Sequence, residues 1–377
     1  MMVSSLKRPI ILLTLLYVVL RLPLLGLAGY VLRMQGFVKE NYEGNLHLER
    51  VNPAWIEALY RWDAAWYIEI AEHGYRTAPG TQGDRQWKGI PFSAGFFPMF
   101  PYAERALAVL TGSPEIAGIL LGIVFGYAAL VGLFYLARSV LEEWDAFRAA
   151  LLFLVFPPSL FTSLPFSEGM FITLMCLSFW ALQKAFTEGL LFIPLAVMTR
   201  PQGLFLILPL VAAKKPWKAK IQGAVFWGVG LALLILIYYQ ALGSFKDFIV
   251  RQSLSRGVPL GPWHAFVEFF VWNPKGWFSW KGGYIDLMLS VLALVTLWLG
   301  ERKIKLPVEW RTWGWIAVLV PLCSSLLSFQ RLLLAVFPLF IYWSRWIPRR
   351  IYYPATAFLY GIQIYYLLRY ATFQWIA

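Results

Sequence analysis

Along most of this chain the apolar residues neither alternate nor keep to one helical face; they run on in blocks close to the roughly 20 residues that cross a bilayer. Spans are predicted at residues 10–31, 116–136, 147–161, 169–185, 225–242, 285–299, 313–327, 332–343 and 352–368. Residues 190–213 are also apolar but are broken by Thr199-Arg200-Pro201-Gln202-Gly203. A Pro/Gly break with a central Arg predicts two short helices forming a hairpin. Residues 96–110 have two readings. Pro98, Pro101 and the Glu104-Arg105 pair favour a short helix at the outer surface. The alternative makes that helix a span and residues 190–213 a second, continuous one.

Two polar stretches interrupt the blocks, and they are the expected external loops: residues 34–97, carrying the catalytic candidates, and residues 243–284. Within the first, Trp62, Trp66 and Ile70, with Tyr67 and Gly74, recur at helical spacing. They predict a short amphipathic helix ending at Gly74. Asp63 falls in its first turn, where the helix dipole favours a carboxylate. That placement suits a helix-start charge as well as a catalyst.

Composition confirms the class. Charged residues are 14% of the chain, against roughly 25% in soluble domains. The expected fold is all-α: one polytopic membrane domain over residues 1–377, with about ten or eleven transmembrane or re-entrant helices and interfacial helices in the first external loop. The net charge of +13 would suggest nucleic acid, but its distribution does not. Lys7-Arg8, Lys214-Lys215 with Lys218 and Lys220, Arg302-Lys303 with Lys305, and Arg345 with Arg349-Arg350 all sit at span ends. That is the positive-inside pattern, and it places the N-terminus in the cytoplasm and Asp63 outside. Residues 34–97 lack the basic bias, with six Lys/Arg against eight Asp/Glu. Cys176 and Cys323 lie inside apolar runs, which argues against a disulfide.

Nucleotide loops and HExxH are absent from the sequence, and His47, His73 and His264 lack metal-ligand spacing. The chemistry therefore rests on polar residues near membrane depth. Arg200 suits a hairpin cap or a ligand contact, and Ser167-Glu168 suits a helix cap or chemistry. Arg331 suits an interfacial anchor or an anion site. Arg251, Arg256, His264 and Lys281 make the second external loop the basic partner of the more acidic first one.

These residues carry a resemblance. Arg61-Trp62-Asp63 through Ile70-Ala71-Glu72-His73-Gly74-Tyr75 resembles the WD...IA..GY signature of the second-mannosyltransferase family of glycosylphosphatidylinositol synthesis and its bacterial relatives. Phe96-Phe97-Pro98-Met99-Phe100-Pro101 resembles that family's FFPLYP, and Phe166-Ser167-Glu168 its YSE, with Phe in place of Tyr. Thr199-Arg200-Pro201-Gln202-Gly203 is similar to its R-x-x-G turn. Ser328-Phe329-Gln330-Arg331 to Phe337-Pro338 is similar to its S..RY....FP element, with Leu332 where Tyr is usual.

The resemblance implies a GT-C glycosyltransferase that moves a sugar, commonly mannose, from a polyprenyl phosphate on the non-cytoplasmic face. Independently of the resemblance, an inverting transfer needs a carboxylate to take the acceptor's proton, and Asp63 in the outer loop is the expected catalytic base. Trp62, Trp66, Glu168, Arg200, Arg331, Arg256 and His264 are the expected substrate-binding residues, Arg331 and Arg200 at the donor phosphate. A monophosphate donor implies no obligatory metal and no other cofactor. The expected partners are the lipid-linked donor, a glycolipid, glycan or protein acceptor, and membrane lipids, with no nucleic acid. A transporter or flippase, or a non-catalytic glycolipid-binding subunit, would also place Arg and Glu at membrane depth. A transporter would show charges in mid-span and paired halves, whereas here the charges gather at one face.

Overall fold

The computed structural model describes residues 2–36, 54–75, 86–87, 90–184, 188–272, 276–279 and 282–376. Continuous apolar sequence can satisfy its backbone in lipid only within helices, and the regular structure of the described residues is helical apart from a two-residue antiparallel pairing of Gln86–Trp87 with Ile90–Pro91. In order the helices are α1 (Met2–Gln35), α2 (Ala54–Glu57), α3 (Asp63–His73), α4 (Met99–Thr111), α5 (Pro114–Arg138), α6 (Glu143–Val155) and α7 (Ser167–Lys184). Then come α8 (Phe192–Val197), α9 (Ile207–Ala212), α10 (Trp217–Leu242), α11 (Lys246–Arg256) and α12 (His264–Trp272). The last are α13 (Tyr284–Lys303), α14 (Val308–Leu322), α15 (Phe329–Leu332), α16 (Phe337–Trp346) and α17 (Arg349–Ala371).

Among the described residues, four segments are long and apolar enough to cross a membrane by themselves: Arg8–Gln35, Pro114–Arg138, Trp217–Leu242 and Tyr284–Lys303. Of the other predicted spans, α7 and α17 run unbroken over 18 and 23 residues, whereas those at 147–161 and 332–343 break at prolines. Pro157 and Pro158 stop α6, and the chain continues as a 3-10 turn over Pro157–Thr162. The predicted span at 332–343 is instead a short helix, a 3-10 turn and α16, which begins beside Pro338 in its first turn.

The hairpin forms as the sequence suggests. Lys215 Nζ donates to Gln183 O at the end of α7, whereas Arg200 Nη1 donates to Ser167 Oγ at its start. The chain from α8 to α9 thus rises the length of α7 and returns, with Arg200 at the tip. Helix α4 does not recross the bundle. Its Glu104 packs against Gly118, four residues ahead of Gly122, and Gly122 lies on Leu164 beside the start of α7. Close helix contact requires small residues, and a Cβ at Gly126 would lie 2.7 Å from Thr162 O.

The basic clusters collect at the opposite end from Arg200. Arg345 and Arg148 both pair with Asp145 at the start of α6. Lys303 lies over Trp346 near the end of α16.

Candidate active site

Asp63 is the first residue of α3, and the helix closes at Gly74, whose N–H reaches Ile70 O at 2.9 Å with φ at 75°. The preceding residue, Trp62, has φ 49° and ψ −114°, a conformation that non-glycine residues rarely adopt. Such strain costs about 1–3 kcal/mol and persists only where the surroundings impose it. Here it turns the Asp63 carboxylate towards the interior of the bundle, where Arg331 Nη2 donates to Oδ2 at 2.7 Å. Arg331 is itself placed by a second strained residue, Ser328, with φ 55°.

Arg331 also donates through Nε to Glu168 Oε1 at 2.8 Å, and its guanidinium lies 4.5 Å from the ring centre of Phe161. Glu168, in the first turn of α7, uses its other oxygen to pair with Arg200 Nη1 at 2.9 Å. Arg200 is tied further to Ser167 Oγ at 3.0 Å and Gln202 Oε1 at 3.0 Å, while Tyr67 OH shares a hydrogen bond with Ser167 Oγ. Arg256 Nη1 donates to Leu327 O at 2.9 Å. Burial, with Arg200 and Arg331 nearby, pushes its pKa down to about 10. Burial works against the charge on Arg331 too, but Glu168 and Asp63 outweigh it and raise its pKa above the ordinary arginine value.

These side chains border a cavity of about 460 Å³. Asp63, Trp62, Trp66, Arg200, Arg256 and Arg331 line it, with Arg251 beside them. One wall is an aromatic shelf in which Trp66 stacks on Phe92 with centroids 4.6 Å apart, and Arg251 lies 3.7 Å above the Phe92 ring. Three arginines, Arg200, Arg256 and Arg331, face the two carboxylates Asp63 and Glu168. The pocket is thus suited to an anion, which bound to arginine gains from charge and from paired N–H donors.

Among the expected residues, Glu168 stands behind the cavity rather than on its wall. Its side chain is 3% exposed, against 32% for Asp63. It serves as the common counter-ion of Arg331 and Arg200. His264 opens α12, half-buried, and does not line the cavity. Lys281 lies outside the described residues. Gln202, Phe92 and Trp375 line the cavity as well and were not among the expected binding residues. Phe92 stands in an aromatic stretch that spacing alone could have flagged; Trp375 carries no local signal.

Taken together, these features describe a multi-span helical membrane protein with a carboxylate–arginine centre at one end of its bundle. The same architecture is found in ArnT from Cupriavidus metallidurans, solved bound to undecaprenyl phosphate, at 14% identity and a TM-score of 0.54 over 81% of this chain and 60% of that one. That likeness shows a shared fold. In sequence the chain resembles GPI alpha-1,6-mannosyltransferase 2. The mouse protein is 26% identical over 315 residues, covering 72% of this chain and 60% of the relative. The human one is 24% identical over 333 residues, covering 77% and 62%. The rat protein is 31% identical over a shorter 170 residues, covering 42% of this chain and 32% of the relative. The chain therefore spans about three fifths of the length of the mouse and human proteins. No family model matches it.

Proposed function

We propose that the protein is a glycosyltransferase that moves mannose from a polyprenyl phosphate to an acceptor hydroxyl, with inversion, on the non-cytoplasmic side of the membrane. The observation that carries this reading is Asp63: a partly exposed carboxylate on the cavity wall, its Oδ2 held by Arg331, in a centre where cations outnumber anions. No hydrogen bond joins Oδ1 to any described residue, which leaves that oxygen to accept a proton.

In the reaction the acceptor oxygen attacks the anomeric carbon while Asp63 takes its proton. The bond from that carbon to the phosphate oxygen breaks, and its electron pair leaves with the polyprenyl phosphate. The leaving phosphate gains one negative charge, which Arg331, Arg200 and Arg256 are placed to stabilise. Glu168 keeps the first two of these fixed before the donor arrives. Fixed cations need no reorganisation during the transfer. A monophosphate donor has no diphosphate to bridge, so no metal is required. The resemblance to a mannosyltransferase and the lipid phosphate named in the ArnT structure support the choice of sugar and donor. The basic clusters at the opposite end support the external placement of the site.

The test is sugar transfer by the purified protein in lipid nanodiscs, with radiolabelled polyprenyl-phosphate mannose and extracted membrane glycolipids. The expected result is label in a glycolipid, with release of polyprenyl phosphate. Donor binding with no transfer or hydrolysis over any acceptor pool refutes the reading.

A further inference from the structure

Among the described residues, the non-glycine residues with positive φ are Trp62, Ser328 and Phe373. They come from three distant segments of the chain, and those segments meet. After α17 the chain turns back under the start of α3. The Phe373 ring is inserted between the Arg61 guanidinium, 4.6 Å from its centre, and the Trp62 indole, 5.4 Å away. Trp62 packs also on Tyr370 at 5.4 Å and edge-on against Trp375 at 5.6 Å. Arg61 is fully buried and donates from Nη2 to Ala371 O at 3.2 Å, while Tyr370 OH donates to Leu59 O at 2.7 Å. On the other side, Gln330 Nε2 donates to Ile376 O at 2.7 Å and Tyr366 OH donates to Gln330 Oε1 at 2.6 Å.

We propose that the turn at residues 371–376 is a positioning element that sets the geometry of the Asp63–Arg331 pair. It grips the residue immediately before each partner: Trp62 before Asp63, and Gln330 before Arg331. A Trp at φ 49° relaxes to ordinary backbone once its ring is released. That relaxation would swing the next carboxylate away from Arg331. Phe373 is fully buried and does not line the cavity, so it acts on substrate only through these neighbours. The catalytic part of this inference rests on Asp63 being the base; the structural part does not.

The experiment compares the full-length parent with Phe373→Ala, Phe373→Leu and Gln330→Met in nanodiscs. It measures kcat, donor KM and hydrogen exchange. Displacement of a reacting group by about 1 Å costs on the order of 100-fold in rate. Phe373→Ala is therefore expected to lower kcat by roughly 10- to 100-fold, with donor KM nearly unchanged. Phe373→Leu should recover much of the loss. Amide exchange should quicken at residues 60–67 and 328–332 but not in α5 or α7. If the alanine variant does not fold, Gln330→Met, which keeps the volume and loses the bonds to Ile376 and Tyr366, should show the same local pattern at smaller size. Parental kcat in folded Phe373→Ala overturns the proposal, and so does exchange that is unchanged at both segments or raised uniformly through the bundle. If the parent itself transfers no sugar, the reading of Asp63 fails, and the exchange comparison alone decides whether the turn holds the pair.

Discussion

Replacing Asp63 by Asn separates catalysis from folding, and the structure sets the expected size of each effect. Asn keeps the shape and an oxygen for Arg331 but cannot take up a proton at neutral pH. The lost ion pair is one-third exposed on the Asp63 side, at 32%, and Arg331 retains Glu168. A partly exposed pair of this kind contributes about 0.2–1 kcal/mol. The charge at the helix start contributes about 0.3–1 kcal/mol more. Stability should therefore fall by no more than about 2 kcal/mol. Losing a general base costs roughly 10²–10⁴ in rate, equivalent to about 2.7–5.5 kcal/mol of barrier at 1.36 kcal/mol per decade. The folded Asn variant should accordingly bind donor yet turn over at least about a hundredfold more slowly, as measured by radiolabelled transfer beside a donor-binding titration. Glu168→Gln should do the opposite. It leaves Arg331 and Arg200 buried without their shared counter-ion, and breaking such a pair costs about 3–5 kcal/mol, so the protein should fail to accumulate. A folded Asp63→Asn variant with parental turnover, or a Glu168→Gln variant that folds normally but is inactive, would sink this division of roles.

Three further outcomes follow from the same geometry. Arg331→Ala and Arg200→Ala should each weaken donor use by about ten- to a hundredfold, as a charge-assisted contact of about 1.5–3 kcal/mol implies. The Lys variants should fall between, keeping charge but losing the planar fork; equal activity of Ala and parent in donor titrations removes either residue from the phosphate site. Chelator treatment of the purified protein should leave transfer unchanged, since a monophosphate needs no bridging cation, and restoration by an added divalent ion would contradict this. Cysteines introduced in place of Asp84 and Ser255 should react with an impermeant thiol reagent on intact cells, and one in place of Lys215 should not; the reverse labelling inverts the topology.

What could be read from the sequence, and what could not, divides by range. Apolar run length gave the helices, and the prolines at 157, 158 and 338 moved their ends, because a missing N–H acts on its own turn. The hairpin around Arg200 was readable for the same reason. Asp63, Arg200 and Arg331 could each be singled out as polar groups out of place, and the structure brings them together. The role of Glu168 was not readable. At the start of α7 it is explained by its own helix, since a helix start favours negative charge, and nothing near it in the chain announces two arginines arriving from residues 200 and 331. The turn at 371–376 was hidden in the same way, its partners Arg61 and Gln330 lying 310 and 46 positions away.

Asp63 is explained by its helix just as Glu168 is, for it too is the carboxylate of a first turn. The local and functional explanations are therefore not rivals. Two helix starts, each suited to an anion, converge on one guanidinium, and Arg331 is what distinguishes them from ordinary helix ends. Of the two, only Asp63 reaches the cavity wall. Exposure, which spacing cannot supply, is why the proposed base is Asp63 and the proposed counter-ion Glu168.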